Sequence, residues 1–190
     1  MKIILASGSP RRKELLSGLN VDFEIRLLPG IDESYPDDLP VQEISEFIAR
    51  KKSSAYKGSI SCDELVITAD TIVVIDGKVL GKPVDAEEAC SMLRLISGRT
   101  HQVITGVCLM TKEQERVFSV ETDVTFKKLS ESEIEYYVEH YKPFDKAGAY
   151  GIQEWIGFIG VESIQGSYFN VMGLPVQRIY SELLAFQNSM

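Results

Sequence analysis

Six residues near the amino end, Ser7-Gly8-Ser9-Pro10-Arg11-Arg12, combine small side chains, hydroxyls and two guanidinium groups in little more than one turn of chain. Small residues let a backbone approach a ligand, and a helix starting at Pro10 would aim its free N–H groups and positive end above the loop. Arginines in a first helical turn oppose the helix dipole, a local cost that makes sense when an anion sits between them and the N–H groups. The plainer reading is a capped helix with solvated arginines. The segment fits neither a Walker A loop nor a GxGxxG fingerprint, so it points to phosphate without pointing to those folds.

Asp70, in Thr68-Ala69-Asp70-Thr71, ends an apolar strand. A carboxylate in such a run needs a cation, a metal or a good hydrogen-bond set to stay charged, unless the strand simply emerges into solvent there. Asp32 and Glu33 lie in an acidic loop with Asp37 and Asp38. They are solvated charge, or with Asp70 they hold a hard cation such as Mg²⁺ through oxygen ligands. Lys52, four residues from Ile48 on its helix, either snorkels out, the plainer reading, or reaches into a cleft. Lys82, between Gly81 and Pro83, is a rigidly placed point charge in a common surface pattern. The blocks from Asp145 to Gln153 and from Gly166 to Pro175 are dense in Gly, Tyr, Asn and Gln. That suits a pocket wall where the backbone comes close and an amide reads polar edges, and turn chemistry alone also explains it. His101 and His140 have no HxxxH or cysteine partners, so zinc is not expected, and His101, opening a strand, reads as exposed and structural.

These residues need elements to position them. Lys2 to Ala6 reads as a short buried strand, followed by a tight loop and a helix with Leu15, Leu16 and Leu19 as its stripe. A second strand is expected from Asp22 to Leu28, a Gly/Asp/Pro-rich loop to Pro40, and a helix with Val41, Ile44, Ile48 and Ala55 on one face. Glu64 to Ala69 runs into Asp70. Thr71 to Ile75 and Lys78 to Leu80 flank Asp76-Gly77, a type I′ hairpin signal. Asp85 with Glu88, and Ser130 with Glu133, resemble capping boxes that open helices through Ile96 and about Tyr141. His101 to Met110 and Val117 to Lys127 alternate as long antiparallel strands. A strand near Phe158 to Ile164 and a helix from Pro175 to about Phe186 follow. The pattern predicts an α/β fold with a mixed sheet.

The chain has 190 residues, 44% of them hydrophobic, with a net charge of −8. A sequence-independent grip on nucleic-acid phosphates or an anionic bilayer is therefore not expected, and an anionic ligand must be held by a local pocket, backbone N–H groups or a metal. The near-continuous apolar stretch Leu65 to Ile75 contains Asp70 and is far short of the roughly 20 residues needed to span a membrane. Cys62, Cys90 and Cys108 form neither a CxxC pair nor an even disulfide set, which suggests a reducing, cytoplasmic location.

Read together, SGSPRR, Glu33, Lys52 in ARKKSSA, Asp70 in TADT, Lys82 in GKP, SGRTHQVITGV, DKAGAYGIQ and GSYFNVMGLP resemble the Maf family of nucleoside triphosphate pyrophosphatases, in order and nearly end to end. The resemblance implies a single domain over residues 1–190, with an elongated mixed sheet flanked by helices and two lobes around a central cleft, a fold like that of inosine triphosphatases. It implies hydrolysis of a nucleoside triphosphate to the monophosphate and pyrophosphate, with Mg²⁺ or Mn²⁺ carried by Glu33 and Asp70. Ser7, Ser9, Arg11 and Arg12 would cradle phosphates, Lys52 and Lys82 would neutralise the leaving group, and Asp70 would act as general base. Arg12, Thr71 and Gln153 match the triplet of the dTTP/UTP-preferring branch. A 7-methyl-GTP-preferring enzyme is the second substrate reading, and a nucleotide-binding regulator of septum formation the reading from another class. Ser53-Ser54 and Trp155 depart from the residues usual nearby, and Trp155 could reshape the base pocket. Family members are often dimers, so a homodimer is expected.

Overall fold

The computed structural model describes residues 1–187. β1 (Lys2–Leu5) leads through the Ser7–Ser9 loop into α1 (Pro10–Ser17), then β2 (Phe23–Ile25), the acidic loop and α2 (Val41–Ser54). β3 (Glu64–Ile75) and β4 (Lys78–Leu80) form the hairpin, followed by α3 (Ala86–Ile96), β5 (Thr100–Met110), β6 (Glu115–Phe126) and α4 (Glu131–Tyr141). A 3₁₀ turn (Ala147–Ala149), α5 (Trp155–Gly160), β7 (Val161–Gln165), α6 (Tyr168–Met172) and α7 (Val176–Gln187) complete the order. The fold is α/β, and its sheet is mixed. The strands lie in the order β2-β1-β3-β5-β6-β7 with β4 on β3. β1 is parallel to both β2 and β3, whereas β3–β4 and β6–β7 are antiparallel. Among the described residues no helix is long and apolar enough to cross a membrane.

The chain divides into two compact units. The first comprises residues 1–70, 105–120 and 173–190, and the second residues 71–104 and 121–172. In the first, Ile4, Ala49, Tyr56, Ile60, Val66, Cys108 and Met110 are buried together. Two contacts seat α2 on this sheet. Thr68 Oγ1 donates to the Ala49 carbonyl at 2.7 Å, and a Cβ on Gly106 would come within 2.2 Å of the Ser45 carbonyl carbon, so only glycine lets the helix lie that close. Ile44, Ile48 and Ala49 face inward as the 3.6-residue period requires, but Ala55 lies past the helix and is exposed.

In the second unit Val73, Ile75, Leu93, Ile96, Val124, Phe126, Tyr137 and Ile156 belong to one core. The Asp76-Gly77 turn takes positive φ at both residues, 51° and 72°, as type I′ geometry demands. Ser130 and Glu133 make the full reciprocal capping box. At α3 only half of it forms, because Asp85 caps the Glu88 N–H while the Glu88 carboxylate turns to the Val84 N–H.

Four further expectations are corrected. β2 stops at Ile25 rather than Leu28, because the Tyr56 hydroxyl donates to the Arg26 carbonyl and accepts from the Leu28 N–H, taking those groups from the ladder. β3 does not end at Asp70 but continues through it to Ile75. The segment from Phe158 opens as helix and becomes strand only at Val161. There the N–H groups of Gly157 and Phe158 turn back to the Glu154 carbonyl, and a Cβ on Gly157 would fall 1.9 Å from the Ile152 oxygen. His101, expected exposed, is 1% exposed, with Nε2 2.7 Å from the Tyr150 hydroxyl and its ring against Phe126. Burial lowers its pKa to about 4.

Candidate active site

In the first unit the site grows from the end of β1. Leu5 pairs with Ile67, the Ala6 N–H donates to the Ile67 carbonyl at 2.9 Å, and there β1 gives way to the Ser7–Ser9 loop while β3 runs on. Asp70 therefore stands three residues past the last rung of its parallel neighbour, where strand ends of α/β sheets commonly receive ligands. Ser7 is buried and its Oγ accepts from the Ser9 N–H at 3.3 Å. Ser9 is the N-cap of α1, accepting from the Arg12 N–H, with Pro10 in the first turn. Arg11 and Arg12 are half-buried. Arg12 is anchored by Nε to the Gly173 carbonyl at 2.8 Å and by Nη1 to the Ala69 carbonyl at 2.9 Å, so it is fixed beside the residue preceding Asp70. Burial lowers the Arg12 pKa. Asp70 works against that, Arg11 adds to it, and Glu33 opposes it again.

Lys52 does not snorkel. Its Nζ donates to Asp70 Oδ1 at 2.8 Å and lies 3.1 Å from Glu33 Oε2, with 13% of the side chain exposed. The hold on α2 explains this placement, since Thr68 and Ala49, which bond to each other, precede Asp70 and Lys52 by two and three residues. The neighbouring pair repeats the pattern at the surface, Lys51 Nζ reaching Asp32 Oδ2 at 2.6 Å and the Ser34 carbonyl at 2.8 Å. Lys51 and the turn at Ser34 hold the Asp32 carboxyl well below the usual range. Two adjacent lysines at the end of α2 thus pin two adjacent acids of the loop, and bring Glu33 toward Asp70. Asp70 Oδ2 takes no hydrogen bond among the described residues. Asp70 itself is only 14% exposed, so it neither points into bulk solvent nor lacks a cation.

Glu33 and Asp70 are the two carboxylates that converge on this one cation. No group of three acidic, histidine or cysteine side chains suited to a metal occurs among the described residues. Two hard oxygen donors nevertheless fit Mg²⁺ or Mn²⁺, which commonly take one or two carboxylates and complete their shell with phosphate oxygens and water.

Thr71, Lys82 and Gln153 belong to the second unit. Thr71 is half-buried on β3 directly after Asp70. Lys82 is exposed in the segment after β4 and has no ion pair among the described residues. The Gly81 carbonyl beside it accepts from the Gly148 N–H at 3.0 Å, so Lys82 and the Asp145–Gly151 turn are stapled together. Gly148 has φ 68°, and a Cβ there would meet Val73 at 2.9 Å. Gln153, half-buried, has its Oε1 buried without a hydrogen-bond partner.

Sequence reasoning missed what surrounds Gln153. Lys146, 8% exposed, pairs with Asp145 at 2.8 Å and with Glu154 at 3.1 Å, and the Tyr137 hydroxyl donates to the other Glu154 oxygen. A lysine in an Ala/Gly-rich block followed eight residues later by an acid was the available signal. Tyr137, which completes the group, comes from α4, and nothing in its local pattern pointed to it.

Such an arrangement is that of an α/β protein that can take an anion at the end of a parallel strand, beside a carboxylate steadied by lysine. Residues 2–186 match the family model described as "Maf-like protein". A protein of Bacteroides fragilis named dTTP/UTP pyrophosphatase is 63% identical over 182 residues, covering 96% of this chain and 94% of the relative. A Parabacteroides distasonis protein of the same name is 60% identical over 185 residues, covering 97% and 96%. One from Flavobacterium psychrophilum is 51% identical over 183 residues, covering 96% and 93%. The chain belongs to the Maf family.

Proposed function

We propose that this protein is a nucleoside triphosphate pyrophosphatase that cleaves the α–β phosphoanhydride bond of dTTP and UTP to give the monophosphate and pyrophosphate. The observation that carries the reading is the Asp70 carboxylate, shielded from solvent, with one oxygen on Lys52 and the other without a hydrogen bond, beside the serine-arginine loop. The names of the relatives above support the same activity.

In this reading Ser7, Ser9 and the loop N–H groups receive phosphate oxygens, with Arg11 and Arg12 balancing their charge. Asp70 takes the proton of the attacking water through its unbonded oxygen. Lys52 and Lys82 stabilise the charge that develops on the departing pyrophosphate. Glu33 and Asp70 would hold Mg²⁺ or Mn²⁺, which when bound neutralises polyphosphate charge and lowers the pKa of bound water. Arg12, Thr71 and Gln153 select the base. Gln153 supports that role because its buried Oε1 is an acceptor without a donor. Uracil and thymine bring an N3–H to such an acceptor, whereas cytosine presents a lone pair at N3. The whole chain acts as one domain, in the cytoplasm and as a homodimer.

A nucleotide panel assayed by product identity with Mg²⁺ and with Mn²⁺ tests the proposal. Pyrophosphate released fastest from dTTP and UTP is the expected result. Equal turnover of 7-methyl-GTP and UTP would remove the base assignment, and binding of UTP without turnover would remove the enzyme.

A further inference from the structure

The backbone turn that carries Gln153 is closed by a ring of bonds, although the Gln153 amide oxygen itself has no partner. The Gly151 N–H donates to the Tyr137 hydroxyl oxygen at 3.0 Å, and that hydroxyl donates to Glu154 Oε2. The Glu154 N–H returns to the Gly151 carbonyl at 3.0 Å, closing the ring around the turn that carries Gln153. Glu154 Oε1 receives Lys146 Nζ at 3.1 Å, so each carboxylate oxygen serves a different donor. The anchors are core groups: Tyr137 is fully buried and Lys146 nearly so. Burial, reinforced by Glu154, raises the Tyr137 pKa, which keeps the hydroxyl a donor. Packing adds to the bonds. A Cβ on Gly151 would meet the Glu154 carboxyl carbon at 2.8 Å and Gln153 Nε2 at 3.1 Å, so carboxylate and amide lie against the same backbone atom.

We infer that Glu154 is a positioning residue for base selection, its carboxylate shared between Tyr137 and Lys146 so that the Gly151–Glu154 turn presents the Gln153 amide in one orientation. This rests on the reading of Gln153 as the base-selecting amide. A glutamine at 154 could accept at only one atom and would turn its NH₂ toward a donor that now faces a carboxylate oxygen. Tyr137→Phe would remove the hydroxyl while keeping the ring.

The test measures kcat and KM on UTP and CTP for Glu154→Gln, Glu154→Asp, Tyr137→Phe and Gln153→Ala, with the melting temperature of each. Glu154→Gln and Tyr137→Phe should each lower the UTP-over-CTP ratio of kcat/KM about fivefold or more, with kcat on UTP changed less than about twofold. Glu154→Asp, which keeps the charge, should recover part of the ratio. Glu154→Gln and Tyr137→Phe proteins that melt earlier yet keep the wild-type ratio would overturn the inference and mark the group as structural only. Should Gln153→Ala shift the ratio while the Glu154 and Tyr137 variants do not, the positioning role alone fails. Should Gln153→Ala leave the ratio unchanged, the base-selecting reading fails and the inference with it.

Discussion

Two lysines are each held between two carboxylates, Lys52 between Glu33 and Asp70 in the first unit and Lys146 between Asp145 and Glu154 in the second. Both ammonium groups are shielded, and in each group one acid is exposed and the other sheltered. The difference lies in what is left over. Glu154 spends both oxygens, on Lys146 and Tyr137, and Tyr137 passes the connection to the backbone of Gly151. Asp70 spends one oxygen on Lys52 and keeps the other. A fully satisfied carboxylate holds structure in place, whereas a sheltered one with capacity remaining can accept a proton or a ligand. On the proposed reading the same three-residue pattern positions a turn in one unit and serves the reaction in the other.

Turnover separates the two lysine clusters most strongly. Asp70→Asn should lower kcat on UTP by about 10²-fold or more, the scale of a lost general base, without moving the UTP-over-CTP ratio. Steady-state kinetics on both nucleotides measures this, and a change in ratio with kcat preserved would reverse the assignment.

A second test uses pH and separates the cores. In the second unit His101 is neutral when folded, its pKa lowered by burial from 6.5 to about 4. The unfolded chain takes up the proton first, so the stability from this group is complete above about pH 6.5 and falls as pH drops toward 4. The loss is about 3 kcal/mol for a shift of this size. In the first unit Glu64 is held by Arg26 and the Ser61 N–H at about 2, below its ordinary 4.5, so its contribution is present above 4.5 and lost as pH falls through about 2. Denaturant unfolding between pH 7 and 4.5 should thus show weakening that His101→Gln removes. A pH-independent wild type in that range would contradict the buried neutral imidazole.

Much of the molecule could be read before its structure. The strand-loop-helix at the amino end, the Asp76-Gly77 hairpin and the Ser130 capping box rest on local chemistry, and each formed where residue type and spacing placed it. What escaped depends on contacts far apart in the chain. His101 is buried because Phe126 and Tyr150 close over it, 25 and 49 residues away. Asp70 lies within its strand and not at its end, because the boundary belongs to the shorter β1. The run from Gly157 to Val161 has no clear period, and the close approach of Gly157 to Ile152 makes its first part helix. The candidate residues around Asp70 were all legible, but Lys52 turning inward needed the seating of α2, and the partners of Gln153 needed α4.

Gln153→Ala should cost roughly tenfold in base discrimination, about one hydrogen bond's worth, with kcat on UTP little changed. Thr68→Val removes the bond that seats α2 near Lys52. It should lower stability by about 1 kcal/mol in denaturant unfolding and reduce kcat on UTP only modestly.

In the proposed reaction the Asp70 side of the molecule breaks the α–β bond of a pyrimidine triphosphate. Phosphorus NMR of UTP incubated with Mg²⁺ and the wild-type protein, beside Asp70→Asn, follows the bond that is cut. UMP and pyrophosphate appearing together with the wild type, and nearly abolished by the substitution, is the predicted result. UDP with orthophosphate, or undiminished pyrophosphate from Asp70→Asn, would contradict it.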